Sequence, residues 1–271
     1  MTSRLVQSTQ PTPAEGTLSH WVSRHPFTTY VALAYGISWT LWGIALIGGG
    51  TLLFILGALG PMAAAAIVTR FTGGSLRTWI SPLGRWRVPA KWWVYALGLP
   101  TLLYTVVSLT LQFLGQPVNW SLAADRLPSY AATFLFVLVL GGAMEEPGWR
   151  GFGLPTLQLS HSPIVATFMV GLAWGFWHVP LYGPAGFVIP TVLAFFYTYL
   201  WNKTGSLLLC VLLHASFTPA QDHLILMARD RAYTSALDSP DWVILGTYVV
   251  AAAVLVLLTR GRLGADPLTE A

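Results

Sequence analysis

The chain alternates between long apolar runs and short polar connections, and the runs are long enough to cross a lipid bilayer. A membrane helix needs about 20 mainly apolar residues. By that measure the sequence predicts eight membrane helices, at about 27–48, 51–69, 92–115, 128–145, 163–182, 185–201, 205–221 and 242–259. No internal repeat is evident among them. The pattern therefore predicts an all-α fold, a polytopic membrane helix bundle of about eight transmembrane helices.

Composition supports a membrane protein and argues against nucleic acid as a partner. Hydrophobic residues make up 55% of the chain and charged residues 9%, with a mean hydropathy of +0.62. Soluble domains carry about 25% charged residues. The net charge is +4, but the basic residues fall between the apolar segments, which is typical of membrane topology. We therefore expect the lipid bilayer as a partner. Separately, the single cysteine, Cys210, excludes an internal disulfide.

The distribution of basic residues predicts the orientation. The strongest basic cluster lies between the second and third apolar segments and contains Arg70, Arg77, Arg85, Arg87 and Lys91. Placing this loop in the cytoplasm puts the mixed-charge loop 222–241 outside and both termini inside. We expect a multi-pass protein of the plasma (inner) membrane. Residues 1–25 are predicted to be a mobile cytoplasmic tail without a signal peptide, 26–260 a single transmembrane domain, and 261–271 a second cytoplasmic tail.

Ionisable side chains at membrane depth cost about 2.5–3.5 kcal/mol each and are therefore candidates for function. The groups in or at the ends of the apolar segments are Glu145, Glu146, Arg150, His178 and His214. Two carboxylates, a guanidinium and two imidazoles are an inventory suited to proton transfer or to metal binding.

The first of three stretches is GGAMEEPGWRG, residues 141–151. Glu146 and Arg150 are four residues apart, the favourable order for a pair on one helical face. Arg150 could hold one carboxylate ionised and leave the other free for chemistry; the alternative is an ion pair at a helix end that reaches towards the headgroups. Pro147 lacks an N–H and predicts a kink or an end of the helix at this point.

The other two stretches are AWGFWHVPLYGP and LLLCVLLHASFTPA. Trp174 and His178 are four residues apart and share a helical face, so the indole could form one wall beside the imidazole; the alternative is a structural histidine satisfied within the apolar helix. His214 and Thr218 share a face in the same way. Cys210 lies one turn before His214, but no other feature supports a thiol–imidazole dyad. Prolines also follow both histidines, at positions 180 and 219, and broken helices at membrane depth line cavities or are buried in protein. The sequence therefore predicts a polar cavity.

Taken in order, the three stretches resemble the CPBP family of intramembrane proteases, which includes the CAAX prenyl endopeptidases and bacteriocin-processing or immunity proteins. Its motifs match Glu145-Glu146-Pro-Gly-Trp-Arg150, Trp174-Gly-Phe-Trp-His178 and His214-Ala-Ser-Phe-Thr218, within about 128–221. Thr218 stands where the prenyl endopeptidases carry Asn, so a hydroxyl takes the place of a side-chain amide at that position. Other protease signatures are absent, since the sequence contains neither HExxH nor GxSxG.

The resemblance implies an endopeptidase acting on a membrane-associated or lipidated peptide. It implies that Glu145 acts as general base on a water molecule, assisted by His178. It implies that His214 and Thr218 stabilise the oxyanion, and that Glu146 pairs with Arg150. A rival mechanism uses zinc, because Glu145, His178 and His214 supply a His₂Glu ligand set; we favour catalysis without a metal.

Two other classes of function stay open at this point: a non-catalytic bacteriocin-immunity or scaffolding protein, and a transporter or proton relay. One expectation conflicts with a shared site. At 1.5 Å of rise per residue, Glu145 falls near the inner face, His178 nearer the outer face and His214 at mid-depth. A common site then requires broken, tilted helices around Pro147 and Pro180.

Overall fold

The computed structural model describes residues 18–227 and 240–265, and within these ranges the regular elements are all helical. Of the predicted tails, 1–25 and 261–271, residues 1–17 and 266–271 lie outside the described residues, as do residues 228–239 of the charged loop. The helices are α1 (Leu18–Arg24), α2 (Pro26–Ile44), α3 (Gly50–Ala58), α4 (Gly60–Phe71), α5 (Leu76–Ile80), α6 (Ala90–Phe113), α7 (Ser121–Asp125), α8 (Leu127–Leu140), α9 (Glu146–Gly148), α10 (Leu154–Gln158), α11 (Pro163–Thr204), α12 (Leu207–His223) and α13 (Pro240–Leu258).

The chain is a multi-pass membrane protein of the all-α class, as the apolar pattern predicts. Of the helices in the described ranges, five are long and apolar enough to span a membrane: Pro26–Gly48, Ala90–Phe113, Leu127–Gln158, Pro163–Gly183 and Pro240–Leu258. Helices α3 and α4, bent by 50°, form a sixth if they count as one span. The remaining predicted segments, 185–201 and 205–221, are also helical and correspond to the second half of α11 and to α12.

Helix α11 is a helical hairpin folded at Gly183. That residue has φ 62° and ψ −156°, a conformation that interrupts the helix and favours glycine. The two halves pack closely, with the Thr167 hydroxyl donating to Thr198 at 3.0 Å. Small residues allow this approach, since a side chain on Gly175 would collide with the Phe187 carbonyl. The hairpin brings the Trp174–His178 turn beside the second half of the same helix.

The second break occurs at Gly141, where α8 ends. Its backbone is extended (φ −107°, ψ −154°), and a 3₁₀ turn, Gly142–Glu145, follows before α9 begins. The predicted break at Pro147 is therefore displaced: Pro147 is the second residue of α9, where a missing N–H leaves no hydrogen bond unmade. Likewise, the break predicted at Pro180 lies at Gly183. Pro219 lies inside α12, which continues past it.

Helix α12 lies at the centre of the bundle and packs against α6, α8 and α11. Most of its residues from Leu207 to Ala220 are buried, including His214. By contrast, large apolar side chains at the helix ends and outer faces are exposed, among them Phe113 and Leu258. A histidine on α12 is therefore placed inside the protein and away from lipid.

Helix α3 forms a wall of the bundle interior and is attached to α2 through Trp42. The Trp42 indole N–H donates to the Phe54 carbonyl at 3.0 Å. Gly57 lies directly against the same indole ring, where a larger side chain would collide with it. This contact fixes the short helix against the cavity described next.

Candidate active site

A cavity of about 450 Å³ in the bundle interior collects most of the residues predicted from the sequence. Its lining is mainly apolar and comes from α2, α3, α8, the turn after it, both halves of α11, and α12. The sequence-predicted residues that line it are Glu145, Trp174, His178, His214 and Thr218. The sequence analysis placed Glu145, His178 and His214 at different depths in the membrane. The breaks at Gly141 and Gly183 resolve this conflict, because they let the three motif segments reach one cavity.

Glu146 and Arg150 lie behind the cavity wall and form a buried ion pair. The Arg150 Nη1 donates to Glu146 Oε1 at 3.1 Å, and neither side chain is exposed to solvent. The same Oε1 atom lies 2.7 Å from His214 Nδ1. Because the carboxylate oxygen can only accept from an imidazole N–H, His214 carries a proton on Nδ1. Glu146 thus connects Arg150 on one side with the His214 ring on the other.

The Arg150 guanidinium is held between two aromatic rings. Its Cζ atom lies 4.0 Å from the Trp174 ring centre and 4.1 Å from the Tyr197 ring centre. Desolvated cation–π contacts of this kind contribute about 2 kcal/mol each. Tyr197 comes from the second half of α11, and sequence spacing gave no indication of it. The hairpin at Gly183 is what brings it to Arg150.

Glu145 faces the cavity and is fixed from one side by Trp174. The Trp174 indole N–H donates to Glu145 Oε2 at 2.7 Å. Its other oxygen, Oε1, lies near His214 across Gly142: a methyl group on Gly142 would be 2.8 Å from Glu145 Oε1 and 2.6 Å from His214 Nε2. Gly142 therefore keeps open a small space shared by a carboxylate oxygen and an imidazole nitrogen. The sequence analysis missed this role of Gly142.

His178 is oriented by its own helix. Its Nδ1 lies 2.9 Å from the Trp174 carbonyl oxygen. A carbonyl can only accept, so Nδ1 carries the proton and Nε2 of the neutral ring is an acceptor. The His178 ring also meets Trp177 edge-on, with centroids 4.8 Å apart. The imidazole is thus fixed in orientation and in tautomer.

The predicted zinc ligands do not form a metal-binding cluster in this geometry. Throughout 18–227 and 240–265, no three His, Cys, Asp or Glu side chains are placed to hold a metal ion. The hydrogen bonds described above engage one carboxylate oxygen of Glu145 and the Nδ1 atoms of His178 and His214. They do not by themselves exclude a metal, so zinc stays an untested alternative, and no step is derived through it.

Two further residues of α12 bear on the sequence analysis. Cys210 is buried within the hydrophobic core and is not part of the cavity lining. His214 is hydrogen-bonded to Glu146, so the geometry gives no thiol–imidazole dyad. Gln221 lines the cavity and was missed. Its signal was present, because it lies seven residues after His214 and so on the same helical face.

Comparison with known proteins matches the part of the chain that builds this site. The sequence model of the family Type II CAAX prenyl endopeptidase Rce1-like matches residues 127–218. A curated relative from Methanococcus maripaludis, "CAAX prenyl protease 2", is 31% identical over 91 residues. That alignment covers 32% of this chain and about a third (33%) of the length of the relative. The family match spans all three motifs, from Glu145 to Thr218, and this segment of the chain is similar to that family.

Proposed function

We propose that the protein is an intramembrane endopeptidase that hydrolyses a peptide bond of a membrane-associated peptide, with water as the nucleophile. The observation that carries the proposal is the meeting of Glu145, His178 and His214 around one cavity inside the bundle. A carboxylate and two oriented imidazoles in a mainly apolar cavity match the needs of amide hydrolysis, which requires a base and a stabilised oxyanion.

Glu145 acts as the general base in this proposal. Trp174 holds one carboxylate oxygen, and the other faces the space beside Gly142. A water molecule there transfers a proton to Glu145 as its oxygen attacks the carbonyl carbon. His178 assists, because its unprotonated Nε2 can accept a hydrogen bond from the same water. The proton on Glu145 then passes to the leaving nitrogen as the C–N bond breaks.

His214 and Thr218 stabilise the negative oxygen of the tetrahedral intermediate. When doubly protonated, His214 keeps Nδ1 bonded to Glu146 and donates through Nε2. Thr218 adds a hydroxyl donor from the same face of α12. A single preorganised donor of this kind typically lowers the barrier by about 3–4 kcal/mol. Glu146 and Arg150 contact no substrate in this scheme; they position His214.

The substrate class follows from the site and the matches together. The cavity is lined mostly by apolar side chains from helices that face lipid on their outer sides. The matched family and the relative are named for CAAX prenyl substrates. We therefore propose a lipidated or membrane-anchored peptide as substrate. The orientation with both termini in the cytoplasm and residence in the plasma membrane stay predictions from the loop charges.

The direct test replaces Glu145 by Gln, which keeps the shape and the Trp174 contact but cannot accept a proton from water. Removal of a general base typically costs about 10²–10⁴-fold in rate, so kcat on an S-farnesylated peptide is expected to fall about 1000-fold. The measurement is product formation by mass spectrometry with the purified protein in lipid nanodiscs.

A matched control replaces Asp125 by Asn. This carboxylate lies in the short helix α7, is exposed and is not among the residues that line the cavity. Its loss is expected to leave turnover unchanged. Undiminished turnover in Glu145→Gln would reject the enzymatic proposal, and peptide binding without cleavage by the wild type would favour the non-catalytic immunity or scaffolding alternative.

A further inference from the structure

Three polar residues form one stripe along α12 inside the cavity. His214, Thr218 and Gln221 are spaced at i, i+4 and i+7, so they share a helical face, and all three line the cavity. The proposed chemistry uses the first two. Gln221 is at the other end of the stripe and has no part in it.

Gln221 is held from behind by a buried pair of tyrosines. The Tyr248 hydroxyl donates to the Tyr104 hydroxyl at 3.0 Å, and both side chains are almost fully buried. The Gln221 side chain approaches the Tyr248 hydroxyl from the cavity side. Because the Tyr248 proton is already donated to Tyr104, the Tyr248 oxygen can only accept there, so the amide N–H of Gln221 is the group that faces it. The amide carbonyl and its second N–H are left for the cavity.

That remaining donor and acceptor pair has the same chemistry as a peptide group. A carboxamide offers one N–H and one C=O side by side, which complements the C=O and N–H of an extended chain. Seven residues of α-helix rise about 10.5 Å, and an extended peptide rises about 3.3 Å per residue. Gln221 is therefore about three peptide residues from the point opposite His214.

We propose that Gln221 is a substrate-positioning residue that hydrogen-bonds the peptide backbone about three residues away from the bond that is cleaved. The inference rests on the proposed endopeptidase function and adds to it a requirement for substrate length. A bond to backbone, rather than to a side chain, makes the requirement independent of which residue occupies that position.

The test compares Gln221→Leu with wild type in nanodiscs on S-farnesylated peptides of several lengths. The peptides are shortened one residue at a time, in one series before the scissile bond and in another after it. For the peptide that reaches Gln221, kcat/KM is expected to fall about tenfold in the variant, the effect of one lost hydrogen-bonding pair. For peptides too short to reach it, both proteins are expected to give the same kcat/KM within about twofold.

Two further variants separate positioning from structure. Tyr248→Phe keeps the ring and removes the hydroxyl that faces Gln221. It should therefore show part of the same length-dependent loss of kcat/KM, and it replaces Gln221→Leu as the test variant if that variant does not fold. Gln112→Leu is the matched control, because Gln112 is exposed near the end of α6, and it should cleave all peptides like wild type.

The outcomes distinguish this inference from the proposed function. A loss that disappears when the peptide is shortened in one series supports the role of Gln221. A loss of equal size for all lengths in both series, or no loss, overturns it and leaves the endopeptidase proposal standing. Failure of the wild type to cleave any of the peptides overturns the proposed function and this inference with it.

Discussion

The buried pair of Glu146 and Arg150 offers a quantitative test of how the site is held together. The Arg150 Nη1 and Glu146 Oε1 atoms are 3.1 Å apart and both side chains are fully buried. Removing one partner therefore leaves the other charge without a counter-ion. Losses of this type are about 3–5 kcal/mol. Arg150→Met also removes two ring contacts, to Trp174 and Tyr197, which adds about 2 kcal/mol after the new packing of Met is allowed for. The free energy of unfolding is therefore expected to fall by about 5–7 kcal/mol.

A double-mutant cycle isolates the charge pair from the ring contacts. Glu146→Gln keeps a carbonyl oxygen near Arg150 and His214 but leaves the buried Arg150 charge without its counter-ion, so alone it should cost about 3–5 kcal/mol. In the double variant no buried charge is left uncompensated. Its loss should therefore be about 3 kcal/mol smaller than the combined loss of the two single variants, as expected for directly coupled neighbours.

The assay is unfolding by titration with sodium dodecyl sulfate in mixed micelles, followed by tryptophan fluorescence. Tyr197→Leu serves as the companion variant, because it removes one ring contact and leaves both charges in place; it should cost about 2 kcal/mol. If the two single losses add to within about 0.5 kcal/mol of the double variant, the pair is not coupled, and the account of Glu146 as the link between Arg150 and His214 is wrong.

Further predictions concern the cavity itself. Gly142→Ala should lower kcat about 100-fold without unfolding the protein. A methyl group would displace Glu145 and His214 from the space that they share, and misplacement by about 1 Å has an effect of that size. The control is Gly43→Ala, where a methyl group meets open space, and it should be neutral in the same peptide assay. Trp174→Phe keeps a ring and removes the N–H that donates to Glu145. A hydrogen bond of this kind contributes about 1.5–3 kcal/mol, so kcat/KM should fall about 10- to 100-fold. An unchanged rate would show that Trp174 does not position the base. Treatment with 1,10-phenanthroline should leave peptide cleavage intact, whereas loss of activity that returns on adding zinc would reverse the metal-free proposal.

Much of the fold was readable from local sequence. Runs of about 20 apolar residues determine helices in a membrane, because the backbone must satisfy its own hydrogen bonds there. The eight predicted segments are all helical, although five, or six with the bent pair, of the described helices meet the criteria for a span. The three motifs were equally local, since each pairs residues one turn apart on a single helix.

The breaks in the helices were predicted only in part. Proline is the residue that sequence reasoning associates with a kink, yet Pro147 lies in the first turn of α9 and Pro219 is accommodated within α12. The chain turns at Gly141 and Gly183 instead. Gly183 precedes a proline and Gly141 precedes a second glycine, and both dipeptides favour turns. A Gly-Pro pair also opens α4 at Gly60, however, so these dipeptides do not by themselves locate the breaks, which depend on how the helices on either side pack.

The sequence by itself determined which side chains would be costly to bury, and therefore which ones to suspect. Only the tertiary structure decided that they meet. The bond from Trp174 to Glu145 joins residues 29 positions apart, and the bond from His214 to Glu146 joins residues 68 positions apart. The two rings around Arg150 likewise come from opposite halves of one folded helix. Contacts of this kind depend on where a hairpin folds and how closely helices pack, which is settled by the whole bundle and not by spacing along any one segment.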